Sequence, residues 1–120
     1  MAGVERRDFD SPDESRTPDK TRVDVVHVGD TAVARFRMEP GWRWSECVKP
    51  VAGTDTCQHR HVGIVRSGTM RVTHDDGTVL ELGRGDVYVI EPGHDAEVVG
   101  DEPFEGFEFQ QRAAEEYARR

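Results

Sequence analysis

From Arg22 onward, apolar and polar positions alternate in short runs separated by turn residues, the period-two pattern of half-buried strands. RVDVVHV and TAVARFRM, joined by Gly29-Asp30, are the first two. After Pro40-Gly41 the run WRWSECV puts Trp42 and Trp44 on one face and predicts a third strand. TCQHRHVGIVRSG then forms an extended run with Cys57, His59, His61 and Gly63 on one face and Gln58, Arg60 and Val62 on the other. Beyond Ser67-Gly68, TMRVTH, TVLEL and VYVIE alternate with the turns Asp75-Asp76-Gly77, Gly83-Arg84-Gly85-Asp86 and Pro92-Gly93, and AEVV and FEGFEF follow. Turns every eight to ten residues predict an all-β sandwich or small antiparallel β-barrel over residues 22–110.

The ends break the pattern. Residues 1–21 carry ten charges and two prolines with few apolar groups, which predicts a flexible acidic arm. Residues 111–120, QRAAEEYARR, are rich in helix formers and predict a short C-terminal helix. At 120 residues there is room for one core, and a core this small favours pairing with a second copy, so a homodimer is expected.

Charge narrows the partners. With 24 acidic against 16 basic side chains and a formal net charge of -8, nucleic acid and anionic membrane surfaces are excluded in favour of a small-molecule ligand or a metal ion. No run approaches the roughly 18 apolar residues of a membrane span, and the N-terminus lacks the apolar stretch of a secretion signal, so a cytoplasmic location is expected. There Cys47 and Cys57 are expected as free thiols or metal ligands.

The chemistry concentrates in two places. Cys57 shares a face with His59 and His61, and a thiolate beside imidazoles is a soft donor that suits zinc; a buried small hydrophobe is the other reading of Cys57. Trp42 and Trp44, with Glu46 close behind, are expected to line a ligand pocket or to pack in a core or dimer interface.

The order of strands and turns resembles the cupin superfamily, whose small barrels (a jelly-roll type also called the double-stranded β-helix) carry two signature stretches separated by a hairpin. Gly53 followed by His59-Arg60-His61 resembles the opening of the first, although its glutamate position falls on Val65 or Arg66. Anchoring instead on Val65-Arg66-Ser67-Gly68 puts His61 at the glutamate position and Cys57 and Asp55 near the histidine positions. In the second stretch Gly85-Asp86 and Gly93 fall in place, Ala96 stands where the family has His, and His94 lies two residues earlier. The opening PGWRWSE and the stretch PGHDAE also resemble a narrower group of short bacterial and archaeal cupins. The resemblance implies a barrel in which His59, His61, His94 and Cys57 gather at the mouth and hold a divalent transition metal (Zn, Ni, Mn or Fe), with isomerase-like or dioxygenase chemistry if the protein is an enzyme. A metal-free ligand-binding or regulatory module stands beside it as the alternative.

Overall fold

The computed structural model describes residues 3–111. The expected C-terminal helix at 111–120 falls outside them, except that Gln111 closes the last strand. Among the described residues most of the alternating runs become strands, with WRWSECV and the stretch before His61 as exceptions. β1 is Glu14–Arg16, β2 Thr21–Val28, β3 Thr31–Met38, β4 His61–Ser67 and β5 Thr69–His74. β6 is Val79–Leu82, β7 Val87–Ile90, β8 His94–Val99 and β9 Phe104–Gln111.

They form two antiparallel sheets. One has six strands in the order β1-β2-β3-β9-β4-β7, and the other has three in the order β6-β5-β8. Non-sequential neighbours such as β9 between β3 and β4 curl the two sheets around a shared interior. Inward positions recur every second residue, as a strand requires: Phe104, Gly106 and Glu108 on β9, and His94, Ala96 and Val98 on β8, are all buried. The core joins Met38, Trp42, Val65, Met70, Val72, Leu82, Tyr88, Val98 and Phe104.

Two parts of the chain differ from expectation. WRWSECV is not a third strand: Trp44–Cys47 is a one-turn helix, α1, and Lys49–Ala52 is another, α2. Pro50 lies in the first turn of α2, and Gly53 ends it in the left-handed region at φ 77°. The Asp95 carboxylate accepts a hydrogen bond from the Ser45 N–H at 3.1 Å and so holds the first turn of α1 against β8. In the segment expected as an arm, residues 14–16 pair with β2, and Phe9 stacks on Phe107 at 5.9 Å and under the Arg35 guanidinium at 4.9 Å.

β1 also closes over Asp24. This carboxylate, 1% exposed, accepts hydrogen bonds from Ser15, Arg22 and Arg35. Burial pushes its pKa up, but these donors outweigh burial and hold it down at about 2. On the outer faces of β4, β7 and β9, Ile64, Val87, Val89 and Phe109 remain exposed. No helix among the described residues is long and apolar enough to cross a membrane.

Candidate functional site

The two sheets enclose a cavity of about 340 Å³, at the low end of the range for small-molecule sites. Its wall is largely apolar, with Phe36, Trp42, Trp44, Tyr88 and Phe104 contributing aromatic surface. One side of the wall is polar. There Cys57, His61 and His94 offer ligand atoms that all lie within 4.8 Å of one another.

Each of these side chains is placed by the backbone. His94 opens β8 immediately after the Pro92-Gly93 turn, where Gly93 at φ 96° supplies the left-handed conformation. Cys57 is outside any strand, but its N–H donates to the His94 carbonyl at 2.8 Å and its carbonyl accepts from Gly93 N–H at 2.8 Å, pinning the thiol next to the imidazole. His61 begins β4, in register with Ile90 of β7.

The donor set is oriented as well as gathered. His61 Nδ1 lies 2.6 Å from Glu108 Oε1, and the Tyr88 hydroxyl donates to the other Glu108 oxygen at 2.7 Å. His94 Nδ1 lies 2.8 Å from the Glu91 carbonyl oxygen. Both rings therefore have Nδ1 engaged, so Nε2 is the nitrogen that would coordinate a metal ion after giving up its proton. His61 Nε2 is 3.5 Å from Cys57 Sγ, and the two rings stand edge to face at 5.1 Å.

This geometry separates charge. Burial pushes the Cys57 thiol up, but hydrogen bonds with His61 and His94 outweigh it and bring it down to about 6. Burial likewise opposes the charged form of His61, yet the Glu108 carboxylate and Cys57 raise it to about 10. Burial and the Glu108 charge push the Tyr88 hydroxyl well above its ordinary value. The two shifts favour a Cys57 thiolate beside a His61 imidazolium, with the Glu108 side chain on the imidazolium's other nitrogen.

The sequence-derived residues divide accordingly. Cys57, His61 and His94 meet. His59 lines the cavity, but its side chain is exposed and stands outside the three-residue group, because the chain is not a strand before His61. Trp42 and Trp44 are buried and line the cavity, one from the loop and one from α1. Glu46 is exposed and turned away from the cavity, since α1 rotates it off the face it would share with the tryptophans in a strand. The carboxylate at the histidine site is Glu108, which the sequence does not single out. Its signal was the period of β9, where Phe104, Gly106 and Glu108 share one face and put a glutamate on the buried side.

Two further features of the wall matter. Gly63 faces the Glu108-Tyr88 pair so closely that an added Cβ would lie 2.3 Å from the Phe107 carbonyl oxygen and 2.9 Å from both the Glu108 side chain and the Tyr88 hydroxyl. Trp42 Nε1 is buried and has no hydrogen-bond partner among the described residues.

Two antiparallel sheets in this order, closed around a cavity with chemistry on one wall, define a double-stranded β-helix of the cupin type. The similar solved structures agree. A sugar phosphate isomerase from a cupin superfamily of Silicibacter pomeroyi is 17% identical, with TM-score 0.62 over 90% of this chain and 76% of that one. A protein with a double-stranded β-helix domain from Klebsiella pneumoniae is 22% identical, with TM-score 0.56 over 81% of each chain. AerE from Microcystis aeruginosa is 19% identical with TM-score 0.59 over 80% of this chain, which spans 45% of AerE. No protein-family model and no curated protein matches the sequence.

Proposed function

We propose that the protein binds one thiophilic divalent metal, zinc before the others, through Cys57 Sγ, His61 Nε2 and His94 Nε2, and a small, mainly apolar molecule in the adjoining cavity. The observation that carries this reading is the engagement of both Nδ1 atoms by Glu108 and by the Glu91 carbonyl, which turns both Nε2 atoms over to the same point as the thiol. Metal-bound histidines are held this way by a carboxylate or carbonyl on the far nitrogen. A thiolate with two imidazoles favours zinc over manganese, and three protein donors leave a fourth position open for water or ligand. Aromatic walls suit a planar or apolar molecule next to that position.

The metal-free alternative has an observation of its own, since His61 pairs with both Cys57 and Glu108 without an ion. Elemental analysis of protein purified without an affinity tag separates the two. The metal reading expects one zinc per chain, lost in His94→Ala and in Cys57→Ala and kept in His59→Ala. A protein that arrives without metal and takes up none of Zn, Co, Ni or Fe(II) is the metal-free module. As a macromolecular partner, a second copy is supported by the exposed apolar face of Ile64, Val87, Val89 and Phe109, since a patch of this kind on a water-facing sheet favours association.

A further inference from the structure

We infer that the cavity ligand carries a carboxylate on an apolar body, and that Arg16 of β1 is the residue that receives it. The inference rests on the small-molecule part of the function proposed above, which it deepens, and does not depend on the metal. β1 is an edge strand of the six-stranded sheet, and register fixes which way its side chains point. Arg16 lies opposite Val23 of β2, and Val23 lies opposite Phe36 of β3. Side chains directly opposite one another on antiparallel strands share a face of the sheet, and Val23 and Phe36 line the cavity, so Arg16 is set on the cavity face. Arg16 lines the cavity itself, and its side chain is 52% exposed, so a molecule entering the cavity can reach it.

Among the described residues Arg16 is the one Lys or Arg in the lining; Arg60, Arg66 and Arg71 stand outside it. Its partner is Glu14, whose Oε1 accepts from Nε at 2.8 Å and from Nη2. Both bonds fall on one edge of the guanidinium. They hold the fork in place and leave Nη1 with no protein acceptor among the described residues. A guanidinium clamped on one edge and open at the other end matches a carboxylate in charge and in shape. Between β1 and the histidine strand β4 the wall offers Val25, Ala34 and Phe36, all apolar. β1 and β4 are four strand spacings apart in the sheet order, about 19 Å along the sheet and less across its curl. The volume of about 340 Å³ equals the liquid volume of roughly eleven waters, enough for an aromatic ring with a short chain. The ligand class is therefore a compact monocarboxylate with an aryl or alkyl body, its carboxylate at the β1 end of the cavity.

A matched pair of probes isolates the charge: 3-phenylpropionate and 3-phenylpropanamide, the same frame with and without a carboxylate. Calorimetric titration of the full chain at neutral pH and moderate salt, as purified and after metal removal, is expected to show the carboxylate binding roughly three- to fivefold tighter in both states, the scale of a half-exposed ion contact. In Arg16→Gln the preference disappears while amide binding is unchanged, which damage to the cavity would not produce. Glu14→Gln removes the anion that competes for the guanidinium and should widen the preference. His59→Ala removes an exposed imidazole of the lining and should keep it. A preference that persists in Arg16→Gln, or one that is lost in His59→Ala or on metal removal, places the carboxylate elsewhere and overturns the inference. Amide binding with no preference for the carboxylate sinks this inference alone and leaves the small-molecule reading standing, whereas failure of both probes to bind at millimolar concentration overturns both. Metal content, measured on the same samples, reports separately on the metal site.

Discussion

Cys57, His61 and Glu108 form a charge-separated row whose titration is a test at the level of single residues. Because Cys57 is lowered to about 6 from an ordinary value of 9.0, its contribution to stability is present above about 9 and is lost as pH falls through about 6. His61, raised to about 10 from 6.5, contributes fully below 6.5 and loses its contribution as pH rises through about 10. Between 6.5 and 9 the two slopes are opposite and cancel, because the folded and unfolded pairs hold the same number of protons. The signature therefore lies in reactivity. In metal-free protein, iodoacetamide alkylation of Cys57 is expected to rise with a midpoint near pH 6, and His61→Ala should move that midpoint upward by removing the imidazolium. A wild-type midpoint near 9 contradicts the ion pair. Glu108→Gln keeps a hydrogen-bond acceptor but removes the negative charge facing His61 Nδ1, and should weaken zinc binding about 10- to 100-fold in a competition titration, with the fold unchanged. Of this row the sequence disclosed Cys57 and His61, which share a face of one short run, and it disclosed His94 through the PGH turn. Glu108 stayed hidden because it sits 47 residues from His61, and only the pairing of β9 with β4 brings the two together.

The elements that carry these residues are most exposed to test at the crossing of β4 and β9. Gly63 pairs with Glu108 across the sheet and leaves the space that the Glu108-Tyr88 pair occupies. Gly63→Ala would drive a methyl group into the Phe107 carbonyl, and should cost about 3 kcal/mol, seen as a fall in melting temperature of about 10 °C by circular dichroism. An unchanged melting temperature would mean that the sheet has slack at this crossing. Strands whose alternation lay between Gly, Pro and Asp turns were legible from the chain, since burial on one face dictates period two. The turn of helix at Trp44–Cys47 was not. Two tryptophans two residues apart imitate a strand, and what overrides that pattern is tertiary: both rings reach the cavity, one from a loop and one from a helix, while Asp95 holds the turn from β8. The same mistaken extension placed His59 beside His61. Because the chain becomes a strand only at His61, the period-two rule does not apply to residue 59.

At the scale of the whole molecule, the two faces of the larger sheet divide the work. The inner face builds the cavity and the Cys57-His61-His94 corner. On the outer face Phe9 packs against Phe107 of β9 and Arg35 of β3, β1 extends the edge of the sheet beside β2, and β4 and β7 are left apolar. If a second copy covers that remaining face, Val87→Asp should convert a dimer to a monomer in light scattering while leaving zinc content unchanged, because Val87 is 76% exposed and points away from the cavity. A wild type that is monomeric at all concentrations contradicts the pairing and leaves the site intact. The barrel and its cavity rest on many strands and turns, whereas the proposed activity rests on one corner of the wall. The most direct test is therefore elemental analysis of the untagged protein, alone and after His94→Ala. One zinc per chain in the wild type and less than a tenth of that in the variant is the expected result. No metal in the wild type, with none restored by added zinc, would contradict the central claim.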